Sequence, residues 1–514
     1  MVLYGGWIRF RDLSRESLWI DELWTWQIAD QTTLSDVVWH SRLRNDVHPP
    51  LHFVMHYYLQ KLVGDSERVL RAPSALAGVL TIVAMFLLGR RLYTDVEGLI
   101  AAGLTAVLAF PIRYSQEARS YMMVALFVVL AAWYWVRVME RLCARKRPAR
   151  TALAGYIVTA TIAACLHYYG LFIIGLQGMA AAALLAWRRP KALLFQPLFY
   201  VPVVVHYLWW WPVMRRSLRI TQFWIKPPKN DAFFSYIREM LNYTDWIAWT
   251  AIGVFAWVVV AATYRTIILR KRRSAPDADG SVDDDERLPF RELLLVCWLV
   301  VPFAIVFVKS LVSQPILTNK NLIISMPAVY LLVARGVTLV PVRRWVQLII
   351  GMLMVVGLAL HFFWGYAFYQ HRFNDMFRQA AAMVVSKKAK REETLIVGYS
   401  FGGRFWDYYF DRMGAPERVD LFAGDARDIA RLREAVVKRR PKFIWVLWGH
   451  RLPGPRAQQL LVGYVCQEYA YYHWKKAFLR VTVLLFVRED VAQMWFGTGT
   501  SWRGKALPLR RPQQ

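Results

Sequence analysis

Acid is scarce in this chain: 36 Asp and Glu stand against 65 Lys and Arg over 514 residues, a formal net charge of +29. Cysteine is scarcer. The four, Cys143, Cys165, Cys297 and Cys466, lie far apart, with no zinc-ligand spacing and no disulfide framework, and read as packing residues. No nucleotide-binding glycine loop stands out, and no signal peptide or spanning run precedes residue 70. Apolar residues, by contrast, are plentiful: 57% of the chain is hydrophobic, 24 residues are Trp, and mean hydropathy is +0.27. That excludes an ordinary soluble enzyme. It also weakens the reading of the positive charge as a nucleic-acid footprint, because polytopic membrane proteins collect Lys and Arg in cytoplasmic loops. The basic excess suits anionic lipid headgroups, phosphorylated lipid substrates included.

Ten apolar runs approach the length a bilayer needs: 72–92, 98–112, 121–140, 151–166, 170–187, 193–211, 246–269, 293–311, 322–340 and 345–363. Basic clusters fall on every second loop: Arg90-Arg91, Arg137 to Arg150, Arg188-Arg189, Arg270 to Arg273 and Arg343-Arg344. The positive-inside rule makes those loops cytoplasmic and the others external, 111–120, 167–169, 212–245 and 313–321 among them. Residues 1–70 then form an external opening segment, 71–368 the membrane region, 369–490 a small external α/β domain and 491–514 a basic tail. Residues 2–8 read as the tail of a helix begun upstream, so a first membrane helix is expected to be missing. The alternative is a helix-poor N-terminus carried out by the next span. The acidic stretch Asp277 to Glu286 reads as a solvated linker. In the C-terminal domain 395–397, 443–447 and 481–487 read as strands and 428–439 as an amphipathic helix.

Two adjacent carboxylates, Asp21 and Glu22, sit among aromatic and apolar residues in Ser17-Leu18-Trp19-Ile20-Asp21-Glu22-Leu23-Trp24-Thr25. A carboxylate at the membrane interface keeps only part of its hydration, so its basicity is tunable, which suits a general base acting on a membrane-borne substrate. The plainer reading is a helix N-terminus whose acids complement the dipole. Arg119, in Arg113-Tyr114-Ser115-Gln116-Glu117-Ala118-Arg119-Ser120-Tyr121, is a candidate phosphate ligand because a guanidinium offers paired donors in fixed geometry. An ordinary helix-connecting loop is the alternative. His48, His52 and His56 recur at helical spacing, yet Pro49-Pro50 interrupts the helix after His48. Leu51 to Val63 reads as an interfacial helix with a histidine stripe rather than a metal site. His48 itself stands as a candidate phosphate contact or as a residue that helps position the acceptor. Lys320 suits either an anionic lipid phosphate or snorkelling at the interface. Gly398-Tyr399-Ser400-Phe401-Gly402 has the nucleophile-elbow pattern but no paired acid and histidine in order, so a plain strand-to-helix turn is favoured.

The segments Leu18 to Thr25, His48-Pro49-Pro50-Leu51, Arg71-Ala72-Pro73-Ser74-Ala75-Leu76 and Tyr114 to Tyr121 occur in order. Together they resemble the bacterial glycosyltransferase family 39 type, GT-C membrane enzymes related to protein O-mannosyltransferases and to the aminoarabinose transferase of lipid A. The resemblance implies an α-helical polytopic membrane protein with a small external α/β domain. It implies a polyprenyl-phosphate sugar donor, transfer on the external face and inversion at the anomeric carbon. It assigns Asp21 as general base, with Glu22 supporting it or touching the acceptor. Arg119, His48 and Lys320 would bind donor phosphate, and Gln116, Glu117, Tyr121, Tyr114 and His167 would line the cavity. Thr318-Asn319-Lys320-Asn321 departs from the Arg-Tyr of many relatives, with Lys320 supplying that arginine's charge. No cofactor and no obligatory metal are expected. The partners are the lipid-linked sugar, a lipid, glycan or protein acceptor, and membrane lipids, with no nucleic acid. A lipid-linked saccharide flippase is the rival; it would share the spans and basic loops without needing Asp21-Glu22, but the paired broken helices expected of it are not evident.

Overall fold

The computed structural model describes residues 1–43, 48–219, 225–273, 290–386, 393–399, 404–415, 419–422, 426–449, 465, 469–488 and 490–491. The Gly398 to Gly402 turn in part, the acidic 277–286 stretch and Cys466 lie outside them. Two compact units emerge. The first holds residues 1–13 and 28–371, the second 14–27 and 372–514.

In chain order the helices begin with α1 (Val2–Phe10), α2 (Ile20–Ala29), α3 (Leu34–Leu43) and α4 (Leu51–Val63). There follow α5 (Glu67–Leu92), α6 (Asp95–Val107), α7 (Ala109–Ser115), α8 (Tyr121–Cys143), α9 (Arg150–Leu166) and α10 (Tyr168–Arg188). After α11 (Pro190–Leu193) come α12 (Val201–Leu218), α13 (Ala232–Met240), α14 (Asp245–Arg273), α15 (Arg291–Val312), α16 (Met326–Thr338) and α17 (Arg344–Leu360). All ten apolar runs are therefore helical. Among the described residues, eight helices are long and apolar enough to cross a membrane, or nine if α6 and α7 count as one bent span. The tenth run, α9, is apolar but shorter.

The first unit is built around α5, α6 and α8, whose contacting faces carry buried apolar and small residues. Gly89 and Gly98 let α5 and α6 meet closely, since a Cβ on Gly89 would come 2.8 Å from the Gly98 backbone. Ser66 caps α5 by accepting from Val69 N–H, and Thr94 with Glu97 forms a capping box on α6. Pro50 fills the N-cap position of α4, so His48 lies outside that helix, as the Pro-Pro pair requires. The run 98–112 is not one straight span. Its backbone turns extended at Leu108, and α6 and α7 meet at 59°. Pro111, which lacks an N–H and cannot bond back to the preceding turn, sits just beyond the break.

The second unit gathers α18 (Phe377–Ser386), α19 (Arg404–Arg412) and α20 (Ala426–Arg439) with a five-stranded mixed sheet. Its strands are β1 (Thr394–Tyr399), β2 (Leu421–Phe422), β3 (Phe443–Gly449), β4 (Tyr469–Phe478) and β5 (Val481–Arg488), in the order β2-β1-β3-β5-β4. β1 runs parallel to β2 and β3, and β5 runs antiparallel to β3 and β4. β3 is buried throughout, which is why it reads as a continuous apolar run rather than an alternating one. Residues 14–27 pack with this unit although some 350 residues separate them in sequence from the sheet.

Candidate functional site

The two carboxylates of the opening segment sit in the second unit, and they sit differently. Both occupy the first turn of α2, where the helix dipole favours negative charge. Glu22 is fully buried; its Oε2 accepts from Trp19 N–H at 3.2 Å and from Asn374 Nδ2 at 3.4 Å. Asp21 is only half-buried. The segment before them is pinned along its backbone. Leu18 N–H donates to Tyr409 Oη at 2.6 Å, and Ser17 Oγ donates to the Asp375 carbonyl. Glu16 accepts from the N–H groups of Phe373 and Asn374, and Arg378 donates to the carbonyls of Ser14 and Arg15. Edge-on ring contacts, Trp24 with Phe405 and Trp26 with Tyr408, fix the apolar flank. Glu22 is thus a buried anchor, and Asp21 is held on a stiffened first turn.

The other candidates converge in the first unit around one ring. The Arg119 guanidinium lies 5.9 Å from the Tyr121 centroid, and Lys320 Nζ lies 5.5 Å from the same centroid. His167 packs on Tyr121 at 6.0 Å and His48 packs on His167 at 4.9 Å. Two cations, two imidazoles and a phenol therefore form one cluster, built from the start of α8, the loop before α4, the α9–α10 junction and the loop before α16. Tyr114 joins it through an edge-on contact with Tyr121 at 5.6 Å.

Beneath this cluster the α4 histidines pack against each other, His52 on His56 at 4.5 Å. Burial above all, then His56, Arg119 and His48, holds the His52 imidazole well below its ordinary value. Burial first and Arg119 second push His56 down to about 3. His167 is held well below the usual range by burial, then by His48, Arg119 and Lys320. These three rings are neutral at pH 7, and the fixed positive charge comes from Arg119 and Lys320. Among the described residues no three His, Cys, Asp or Glu side chains are grouped so as to hold a metal ion.

Two of the expected cavity residues are engaged in holding the fold. Gln116 Nε2 donates to the carbonyls of Ile8, at 3.0 Å, and Arg11, at 3.1 Å. Tyr114 Oη donates to Glu239, which also accepts from Tyr243 Oη at 3.0 Å and from Asn319 Nδ2 at 2.6 Å. Glu117 is buried, 3.7 Å from Arg113. Glu239, on α13, is a residue that reading the sequence did not single out. It ties the α7 segment to the loop that carries Lys320. Its signal was there in part: a carboxylate on an amphipathic helix within a loop that the charge pattern reads as external. A separate, partly open apolar pocket of about 50 Å³ lies among α5, α8, α10 and α15, and none of the candidate residues line it.

The family model described as dolichyl-phosphate-mannose-protein mannosyltransferase matches residues 47–215. That range includes His48 and the Tyr114 to Tyr121 motif; Asp21 and Glu22 precede it. A search of curated protein sequences gives no match. Among solved structures, ArnT from Cupriavidus metallidurans in the apo state is 14% identical, with a TM-score of 0.58, covering 93% of this chain and 95% of that one. ArnT bound to undecaprenyl phosphate is 15% identical, with a TM-score of 0.54, covering 98% and 99%. The family model thus matches residues 47–215, and the chain is an α-helical polytopic membrane protein with the fold of ArnT.

Proposed function

We propose that the chain is an integral-membrane glycosyltransferase that moves a sugar from a polyprenyl-phosphate carrier to an acceptor hydroxyl on the external face, with inversion. The observation that carries the reading is the convergence of Arg119 and Lys320 on Tyr121 beside His48 and His167. Two cations that face one ring in partly dehydrated surroundings offer an anion charge-assisted contacts. A phosphate fits the charge and the donor pattern. The ArnT structure with undecaprenyl phosphate supports the same class of ligand for this fold.

In this reading Asp21 takes the proton of the acceptor hydroxyl as its oxygen attacks the anomeric carbon. The bond from that carbon to the phosphate oxygen breaks on the opposite face. The polyprenyl phosphate leaves as an anion stabilised by Arg119 and Lys320, with His48 donating or accepting a hydrogen bond. Glu22 holds the first turn of α2 and so the position of Asp21. Residues Gln116, Glu117, Tyr114, Tyr121 and His167 shape the phosphate end of the cavity. The Lys and Arg clusters on alternate loops support a catalytic side outside the cell membrane.

The test is sugar transfer in membranes from cells making the wild type or Asp21→Asn at equal levels, supplied with a panel of radiolabelled polyprenyl-phosphate sugars. Loss of a general base lowers the rate by about 10²- to 10⁴-fold, so label should reach an acceptor only with the wild type. Equal transfer by both would make Asp21 a structural residue and end its assignment as base.

A further inference from the structure

The Arg119 segment follows a broken span, and the break is held by two residues with no assigned role. We infer that Arg9 and Asn242 clamp the α6–α7 break and thereby position Arg119; the step from clamp to Arg119 rests on the donor-phosphate reading above. Arg9 is completely buried at the end of α1. Its Nη2 donates to the Thr105 carbonyl at 2.6 Å and its Nη1 to the Ala106 carbonyl at 3.3 Å. Those carbonyls belong to the last turn of α6, where a helix leaves its acceptors without internal partners. The same guanidinium reaches across the break: Nε donates to Ser115 Oγ at 3.1 Å, at the far end of α7. A further bond from Nη1 to the Gly5 carbonyl, 3.0 Å, fixes Arg9 to its own helix.

Asn242 serves the opposite side of the break. Its Oδ1 accepts from Ala109 N–H, the first amide of α7, at 2.8 Å, and its Nδ2 donates to the Leu358 carbonyl at 3.3 Å. The freed carbonyls thus go to a cation and the freed amide to a side-chain carbonyl, which is what a break in an apolar span needs. Gly78 on α5 leaves the space. A Cβ there would lie 2.1 Å from Ser115 Oγ and 2.6 Å from Arg9 Nε.

Three features separate a clamp from a stray buried charge. Every hydrogen bond of Arg9 among the described residues goes to a neutral oxygen, so its charge is not matched by a carboxylate. Its contacts lie on both sides of the bend. The segment it holds runs directly into Gln116, whose Nε2 donates to the carbonyls of Ile8 in α1 and of Arg11 just after it, and then into Arg119. A planar fork meets four separated acceptors at once; a lysine ammonium carries the same charge on one atom and cannot. Arg9 and Asn242 are accordingly positioning residues. They act on Arg119 through backbone geometry, not through field.

The experiment compares full-length wild type, Arg9→Lys and Asn242→Gly in detergent micelles. Hydrogen exchange of peptides covering residues 105–120 is read beside titration with undecaprenyl phosphate. Asn242 adopts φ 57°, so glycine there removes the side chain without backbone strain. It keeps the test available if Arg9→Lys does not fold. The clamp predicts exchange in 105–120 faster by about tenfold or more in Arg9→Lys, with undecaprenyl phosphate bound about tenfold more weakly. Asn242→Gly should shift both readouts the same way and by less. Unchanged exchange with weakened binding would mean that Arg9 influences Arg119 by a route other than holding the break, and would overturn the inference. So would faster exchange with unchanged binding. A wild type that fails to bind undecaprenyl phosphate would sink the donor reading of Arg119 instead, while the exchange arm would still decide whether the break is clamped.

Discussion

The first unit handles buried positive charge in two ways, and the contrast separates fold from function. Near Arg90 and Arg91, at one end of the bundle, charge is matched with opposite charge. Arg335 Nη1 lies 3.0 Å from Glu97 and its Nε lies 3.1 Å from Glu292, while Arg91 pairs with Glu140. Glu97 also accepts from Thr338 Oγ1 at 2.6 Å and from Thr94 N–H at 3.1 Å. Around Tyr121, cations are gathered with each other. Arg119 and Lys320 share one ring, with the neutral imidazole of His167 and the ring of His48 beside it. An arginine locked to carboxylates holds elements together, whereas one that shares a ring with a second cation offers an anion a place to bind. The lesson is that a buried arginine is read by the company it keeps.

The largest effects come from exchanging the two kinds of arginine for an apolar residue of similar length. Arg335→Met leaves the nearly fully buried Glu97 without its cation, and breaking a buried pair costs about 3–5 kcal/mol. The expected result is a much lower thermal unfolding midpoint in detergent, with normal transfer per folded molecule. Arg119→Met should do the reverse. Losing a donor to the leaving phosphate lowers transfer about 100-fold, while the midpoint falls less than in Arg335→Met. An Arg119→Met protein that unfolds, or an Arg335→Met protein that folds well but transfers poorly, would break the contrast.

The histidines sharpen it at the next level down. His56 is buried and its folded value lies near 3, against about 6.5 for an exposed imidazole. Between those values the unfolded chain binds a proton that the folded chain does not. The stabilising contribution of neutral His56 is therefore complete above about pH 6.5 and is lost as pH falls toward 3, by about 1.4 kcal/mol per unit at most. Wild type should lose stability on acidification more steeply than His56→Leu, compared by unfolding midpoints at several pH values. A parallel pair of curves would show that His56 is not held neutral by the fold.

Much of this architecture is legible in the sequence alone. The ten apolar runs are ten helical segments, and α4 spans the residues expected from the Pro-Pro pair onward, because chain length in lipid and helix-breaking chemistry are local properties. The strands β1, β3 and β5 and the helix α20 are readable from continuous apolar runs and a 3.6-residue period. β2 is two residues long and β4 carries His473, Lys475 and Lys476 in its run, so neither has that signature. The break at Leu108 is not legible in the same way: Pro111 is there to be read, but the apolar run masks it, and its consequence depends on Arg9 and Asn242, about 100 and 130 residues away. The company of the Asp21 segment is equally hidden. Tyr409, Asn374 and Arg378 hold it, and nothing local in Ser17 to Thr25 announces partners that distant. The Arg119–Lys320 convergence is expected from the resemblance, whereas Glu239, which joins their loops, belongs to none of its motifs.

The smallest effect tests whether the matched end is as structural as the contrast requires. Thr94 caps α6 by accepting from Val96 N–H, and its own N–H and hydroxyl both donate to Glu97, the carboxylate that Arg335 needs. Thr94→Ala removes the hydroxyl and leaves the pair in place. Loss of such a cap costs about 1 kcal/mol, so the unfolding midpoint should drop by a small but measurable amount, and undecaprenyl phosphate titration should give the wild-type curve. Combining it with Arg335→Met is the informative step. If Thr94 and Arg335 act on Glu97 together, the double variant loses less than the two single losses added, because Glu97 is already misplaced once either partner is gone. Simple additivity would mean that the cap and the ion pair are independent, and that Glu97 is not the hub on which this end of the bundle turns.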